Sequence, residues 1–201
     1  MQDATYLKFN ISHMAIPKTT TIDALSENFE GAKTVINEYG GLDYDTVIFK
    51  LNPETWSCVE VCQHLISFNK LYRDQMDEAL STLTTMPVNG NSISPGWISR
   101  KFASFLEPPY KFGVKTIKPM FPSTVDLNPA ETFHHLIDIQ TDIVKLLTQA
   151  KKERWNLDQV TATHPLIKFL TLSFTDFLIL IDAHQRRHFW QIEQILKRMP
   201  D

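Results

Sequence analysis

The sequence predicts an all-α fold, a four-helix up-and-down bundle with a long proline-rich connection between its second and third helices. Three observations predict it. Four segments combine a 3.6-residue apolar period with a helix-start signal. Six of the chain's eleven prolines fall in one stretch, Pro87 to Asn128. Of the 201 residues, 43% are hydrophobic, enough to bury one continuous core. We read residues 1–201 as a single domain whose helical core spans about 20–199, with 87–128 as the long connection.

The first helix begins near Thr20, with Asp23 in its first turn, and turns Leu25, Phe29 and Val35 inward before Gly40 and Gly41 stop it. The second has the most specific start. Ser57 as N-cap and Glu60 three positions on form a capping box, flanked by Trp56 and Val61 as a hydrophobic staple, and the helix runs to about Met86. Asn128, Pro129 and Glu131 open the third, with Phe133, Leu136, Ile137, Ile143, Val144 and Leu147 on its inward stripe. Lys151, Lys152 and Arg154 suit its C-terminal dipole. The fourth repeats the device of the second, with Ser173 and Asp176 as the box and Leu172 and Phe177 as the staple, and continues to Met199.

Regular structure is not expected from Pro87 to Asn128, because proline interrupts helices and strands alike. That stretch still holds Trp97, Phe102, Phe105, Leu106, Tyr110, Phe112 and Phe121, too many large apolar groups for a disordered linker. Connections this long in a compact domain often cover a functional site, and we read this one as a folded-back cover or lid.

Charge and composition exclude several classes of partner. Twenty Lys+Arg against 23 Asp+Glu leave a formal charge of −3, with no basic field to draw the chain onto nucleic acid or anionic lipid. No apolar run approaches the roughly 20 residues that span a bilayer, and Met1 to Met14 has neither the basic nor the apolar region of an export signal. Cys58 and Cys62 stand four apart in one helix, which suits reduced thiols in a core better than a disulfide framework. A cytoplasmic location is expected. Apolar residues on the outer faces of the first and third helices also admit a homodimer.

Chemistry enters with the histidines. His184 and His188 are one helical turn apart in the fourth helix, with Cβ atoms about 5–6 Å from each other, so both imidazoles can ligate one metal. Steps of three, four and seven from this pair reach Phe177, Leu180, Ile181, Gln191, Ile192 and Ile195, which puts it on the inward stripe and leaves Arg186 and Arg187 to the side or outside. The same steps from His64 in the second helix reach Ser57, Glu60, Val61, Ser67, Phe68 and Leu71, a mostly inward face. Three neutral nitrogen ligands from two helices leave coordination positions open, as in catalytic rather than structural sites.

The alternative is three packed histidines satisfied by hydrogen bonds or a structural ion. Buried imidazoles without partners are costly, so the set needs one solution or the other. Glu60, one turn from His64, is accounted for by the capping box, and Cys58 and Cys62 by the core. At most one of His134 and His135 can face inward, His164 before Pro165 could overhang the bundle mouth, and His13 has no role. No catalytic residue is assigned.

Trp56-Ser57 followed by Glu60 and His64, His164-Pro165 ahead of the fourth helix, and His184 to His188 running on to Gln191-Ile192 together resemble the DinB/YfiT-like superfamily of metalloenzymes. Pro108-Pro109 through Pro119 and Phe121-Pro122 add to the likeness, which covers about residues 20–199. The chain departs from the pattern at Lys168, where relatives often have glycine. The resemblance implies a four-helix bundle and a divalent metal held by His64, His184 and His188. Its members include S-transferases and isomerases that use bacillithiol or mycothiol, alongside many proteins without a known reaction.

Three neutral ligands leave the metal's charge uncompensated, so a bound water would ionise near neutral pH and a thiol more readily still. The expectation is a metal-dependent hydrolase or thiol S-transferase acting on a small molecule, with a low-molecular-weight thiol as a candidate co-substrate. Imidazole donors suit zinc, nickel, iron or copper; zinc or nickel stands first here, with iron or manganese after them. A non-catalytic bundle that binds a ligand or partner protein is the second expectation.

Overall fold

Side-chain caps set where the long helices start. The computed structural model describes residues 20–88, 92–110, 116–122 and 127–200; His13 with the whole arm before Thr20, and Phe112 in the connection, lie outside these residues. The chain runs β1 (Thr20–Thr21), α1 (Ile22–Gly40), α2 (Tyr44–Ile48), α3 (Cys58–Thr82), β2 (Ser92–Ile93), α4 (Trp97–Leu106), a 3-10 turn at Lys118–Met120, α5 (Pro129–Lys152), β3 (Thr161–Thr163), β4 (Thr171–Ser173) and α6 (Phe174–Leu196). The described residues are mostly helical, with two small antiparallel ladders among them, β1–β2 and β3–β4.

The Thr21 hydroxyl accepts from the Ala24 amide to open α1, and the Asn128 side chain accepts from Glu131 to open α5. Both anticipated capping boxes form: Ser57 with Glu60 on α3, and Ser173 with Asp176 on α6. α3 and α6 end earlier than expected, at Thr82 and Leu196.

α1 packs along α5, α5 along α3, α3 along α6, and α6 along α1. The directions follow from named contacts. Asp23 at the start of α1 pairs with Lys151 at the end of α5, while Gly40 at its far end lies against Phe133, so these helices are antiparallel. Asn28 bonds Asp182 and Tyr39 touches Phe189, so α1 and α6 run parallel. His64 meets His184 and Tyr72 meets Phe177, so α3 and α6 are antiparallel. α3 and α5 therefore point the same way. This corrects the simple up-and-down alternation, because the connection from α3 to α5 returns along the length of the molecule instead of turning at one end.

That connection also corrects the expectation that Pro87 to Asn128 lacks regular structure. Pro95 and Pro108 bracket α4 and neither interrupts it. α4 packs on α6 through buried Ser99, Ala103 and Leu106, leaving Trp97, Phe102 and Phe105 exposed. Glu107, just past its end, grips the Arg186 guanidinium, which also pairs with Asp182. Burial alone would lower the Arg186 pKa, but these two carboxylates outweigh it and hold the guanidinium charged.

Two hydrophobic clusters divide the interior. One gathers Phe29, Phe68, Ile143 and Ala183, the other Ala32, Leu65, Leu136 and Phe189. Buried polar side chains accompany them: His64 and Asn69 on α3, Gln140 on α5, and Asp182, His184, Gln185 and His188 on α6. Among the described residues no helix is long and apolar enough to cross a membrane.

Candidate metal centre

His64 comes from α3 and His184 and His188 from one face of α6; the antiparallel packing of these helices brings the three rings together, all buried. The Nε2 atom of His184 lies 3.3 Å from that of His64 and 3.1 Å from that of His188. All three ligand nitrogens fall within 4.8 Å of one another, close enough to hold a metal ion.

The outer nitrogens set the direction of the inner ones. His64 Nδ1 donates to the Met120 carbonyl at 2.7 Å, and His188 Nδ1 donates to the Gln191 side-chain oxygen at 2.9 Å. A carbonyl only accepts, so both rings carry hydrogen on Nδ1 and present a lone pair at Nε2. This is the way metal-binding imidazoles are commonly braced. His184 Nδ1 is buried without a hydrogen-bond partner among the described residues, and its ring stacks on Phe68 with centroids 3.7 Å apart.

The donor set fits a cation. With metal–nitrogen bonds of about 2.05 Å in tetrahedral directions, ligand nitrogens stand about 3.3 Å apart, close to the two spacings seen. A proton fits less well: one N–H on His184 Nε2 faces two lone pairs and aligns with only one. Burial pushes all three imidazoles below the ordinary histidine range; neighbouring imidazoles push His184 further, and His188 is lowered to about 3 by burial and by His64. Neutral rings, the ligating form, are therefore the state at neutral pH.

These rings form part of the wall of a cavity of about 490 Å³ enclosed by α3, α4, α6, the 3-10 turn and the β3–β4 loop. Ile98, Phe102, Leu106, Ile117, Leu166 and Ile167 make its lining mainly apolar. The placement to the side or outside expected for Arg186 and Arg187 fails for Arg187, whereas Arg186 keeps a part-exposed position at the side. Arg187 is buried in this wall, its guanidinium 3.5 Å from the centre of the Tyr110 ring. Arg186 is clamped by Glu107 and Asp182. Tyr110 in turn packs edge-on against Trp190.

The other candidates resolve differently. Glu60 closes the capping box and pairs with Lys50 at 2.6 Å. Cys58 and Cys62 are fully buried free thiols, and the Cys58 hydrogen bond together with burial pushes the Cys62 thiol up. Both His134 and His135 are exposed. His164 is buried in the β3–β4 loop with Tyr72 as its partner and lines the same cavity. Sequence reasoning missed Met120, whose contribution is a backbone carbonyl and carries no side-chain signal. It also missed Tyr72, which lies two turns beyond His64 on the same face.

No family model, curated protein or solved structure matches the chain.

Proposed function

We propose that this protein is a metal-dependent enzyme of the DinB/YfiT-like kind, acting on a small and largely apolar molecule as a hydrolase or thiol S-transferase. The observation that carries the reading is the convergence of the Nε2 atoms of His64, His184 and His188 on one point in the wall of a mainly apolar cavity. The ring of packing from α1 to α5, α3 and α6 supports the four-helix bundle that such a protein would have. Two reduced cysteines in the core fit a cytoplasmic setting. A homodimer remains part of the proposal; nucleic acid and membrane partners do not.

A bound divalent metal, zinc or nickel first and iron or manganese after them, would supply the positive charge that ionises water or a thiol near neutral pH. The chain's own residues do the rest. Met120 and Gln191 fix the rings of His64 and His188 so that their two Nε2 lone pairs aim inward. Phe68 holds the His184 ring against rotation. Arg187, the one lysine or arginine among the described lining residues, disfavours protonation of His184 and His188 and offers a site for an anionic group of the substrate or of a low-molecular-weight thiol.

Elemental analysis of the purified protein tests this. About one equivalent of divalent metal is expected in the unaltered protein and none in His64→Ala or His184→Ala; unchanged metal content in both variants would overturn the reading. One observation favours a second reading: the described lining residues include no carboxylate and no thiol to act as base or nucleophile. On that reading the cavity binds its ligand without reaction, and metal-loaded protein would hold the ligand with no turnover of ester, epoxide or thiol-acceptor substrates.

A further inference from the structure

Further along α3 from the three imidazoles, the same cavity wall carries a second polar pair, Tyr72 and His164. Both side chains are buried, and the Tyr72 hydroxyl lies 2.9 Å from His164 Nε2. The other nitrogen of that ring decides who donates. His164 Nδ1 receives the backbone amides of Leu166 and Ile167 at 3.2 and 3.1 Å. A ring nitrogen that accepts two N–H groups carries no hydrogen, so the neutral ring is protonated at Nε2 and donates to Tyr72. The Tyr72 oxygen is then an acceptor toward His164, and its own hydrogen must go elsewhere. Among the described residues it has no other partner, while the cavity lies beside it. Burial of both groups supports the neutral forms, pushing the phenol up and the imidazole down.

We propose that the Tyr72 hydroxyl is the hydrogen-bond donor of a second subsite, which takes an uncharged oxygen acceptor such as a ketone, ester or ether on an otherwise apolar molecule. His164 is a positioning residue that holds the hydroxyl in its donating orientation. The subsite names the substrate class of the enzyme proposed above and rests on that reading. Tyr72 is eight residues, about 12 Å of helix, beyond His64, and Phe68 stacks on both His184 and Tyr72 between the two stations. The molecule is therefore long enough to react at the imidazoles while its acceptor reaches Tyr72. A fully saturated hydrocarbon chain would leave the hydroxyl hydrogen buried without an acceptor, a penalty that discriminates against it.

Carbonyl-labelled 2-nonanone is the probe, with n-nonane as its control, on the protein as purified. In the unaltered protein the carbonyl stretch of the bound ketone is expected below its value in an apolar solvent. In Tyr72→Phe it returns to that value, and the ketone binds about three- to tenfold more weakly while n-nonane is little affected. In His164→Phe, which keeps Tyr72 but removes its anchor, the shifted band broadens. A stretch that is the same in unaltered and Tyr72→Phe protein would overturn the subsite; should Tyr72→Phe not fold, an unchanged band in His164→Phe does so. The infrared readout requires no metal. A Tyr72-dependent shift in protein whose histidine variants keep their metal content would sink the metalloenzyme reading alone, and an absent shift in protein whose metal depends on His64 and His184 would sink the subsite alone.

Discussion

Two histidine stations share one cavity wall and use the same ring in opposite senses. At His64 and His188 a carbonyl oxygen takes the Nδ1 hydrogen and leaves the Nε2 lone pair facing inward. At His164 two backbone amides fill Nδ1, and Nε2 becomes the donor. The first arrangement collects lone pairs and calls for a cation; the second delivers a hydrogen and orders a hydroxyl. The lesson is that a buried histidine is read from the group behind it, which here is backbone in three of four bonds and so invisible to any residue pattern.

The comparison can be stressed first with acid, where the largest effect is expected. All four rings have depressed pKa values in the folded state, chiefly through burial, with His188 at about 3. An unfolded histidine takes its proton near pH 6.5. Below about that value the unfolded chain binds more protons than the folded one, so stability falls as pH falls and is regained as pH rises. Melting of the metal-free protein between pH 7.5 and 4.5 should show a continuous loss beginning well above the carboxylate range. A flat profile over that interval would mean that the rings are not buried as described.

Next comes the residue between the stations. Phe68→Ala removes the ring that stacks on His184 and on Tyr72 and opens a cavity beside both, at a cost of about 3–5 kcal/mol in unfolding free energy. Denaturant unfolding measures it, and a loss under 1 kcal/mol would show that the two stations are not packed through this side chain. The smallest effect sharpens the comparison most. Gln191→Leu deletes the acceptor behind His188 without touching any ligand nitrogen, and should weaken metal binding about 10–100-fold by calorimetric titration while leaving the fold intact.

Much of the helical framework was legible because its signals are local. Ser57 with Glu60, Asn128 with Pro129, and Ser173 with Asp176 each declare a start within four residues, and the structure uses all three. The metal-ligand candidates were legible for a related reason: His184 and His188 share a helix face by spacing alone, and His64 lies on an apolar stripe. What escaped was short or remote. α2 has five residues and β3 and β4 three each, too few for a period to emerge. α4 was obscured by counting prolines without asking where they fall, since Pro95 precedes its glycine cap and Pro108 follows its end. Tyr72 and His164 are 92 positions apart, and their meeting depends on the direction of α6 relative to α3, which no local pattern fixes.

Asp176 has a reach that its capping role understates. One carboxylate oxygen closes the first turn of α6 on Ser173, while the other accepts the Gly96 amide at 2.7 Å, where α4 begins. A methyl group at Gly96 would sit 3.2 Å from that oxygen, so the approach leaves little room for a side chain. The roof of the chamber is thus fastened to the rod that carries two of the three clustered imidazoles, and by the same short acid. Roof and rod share an origin, and an insertion or slip at either would be transmitted to the other before it reached the imidazoles between them.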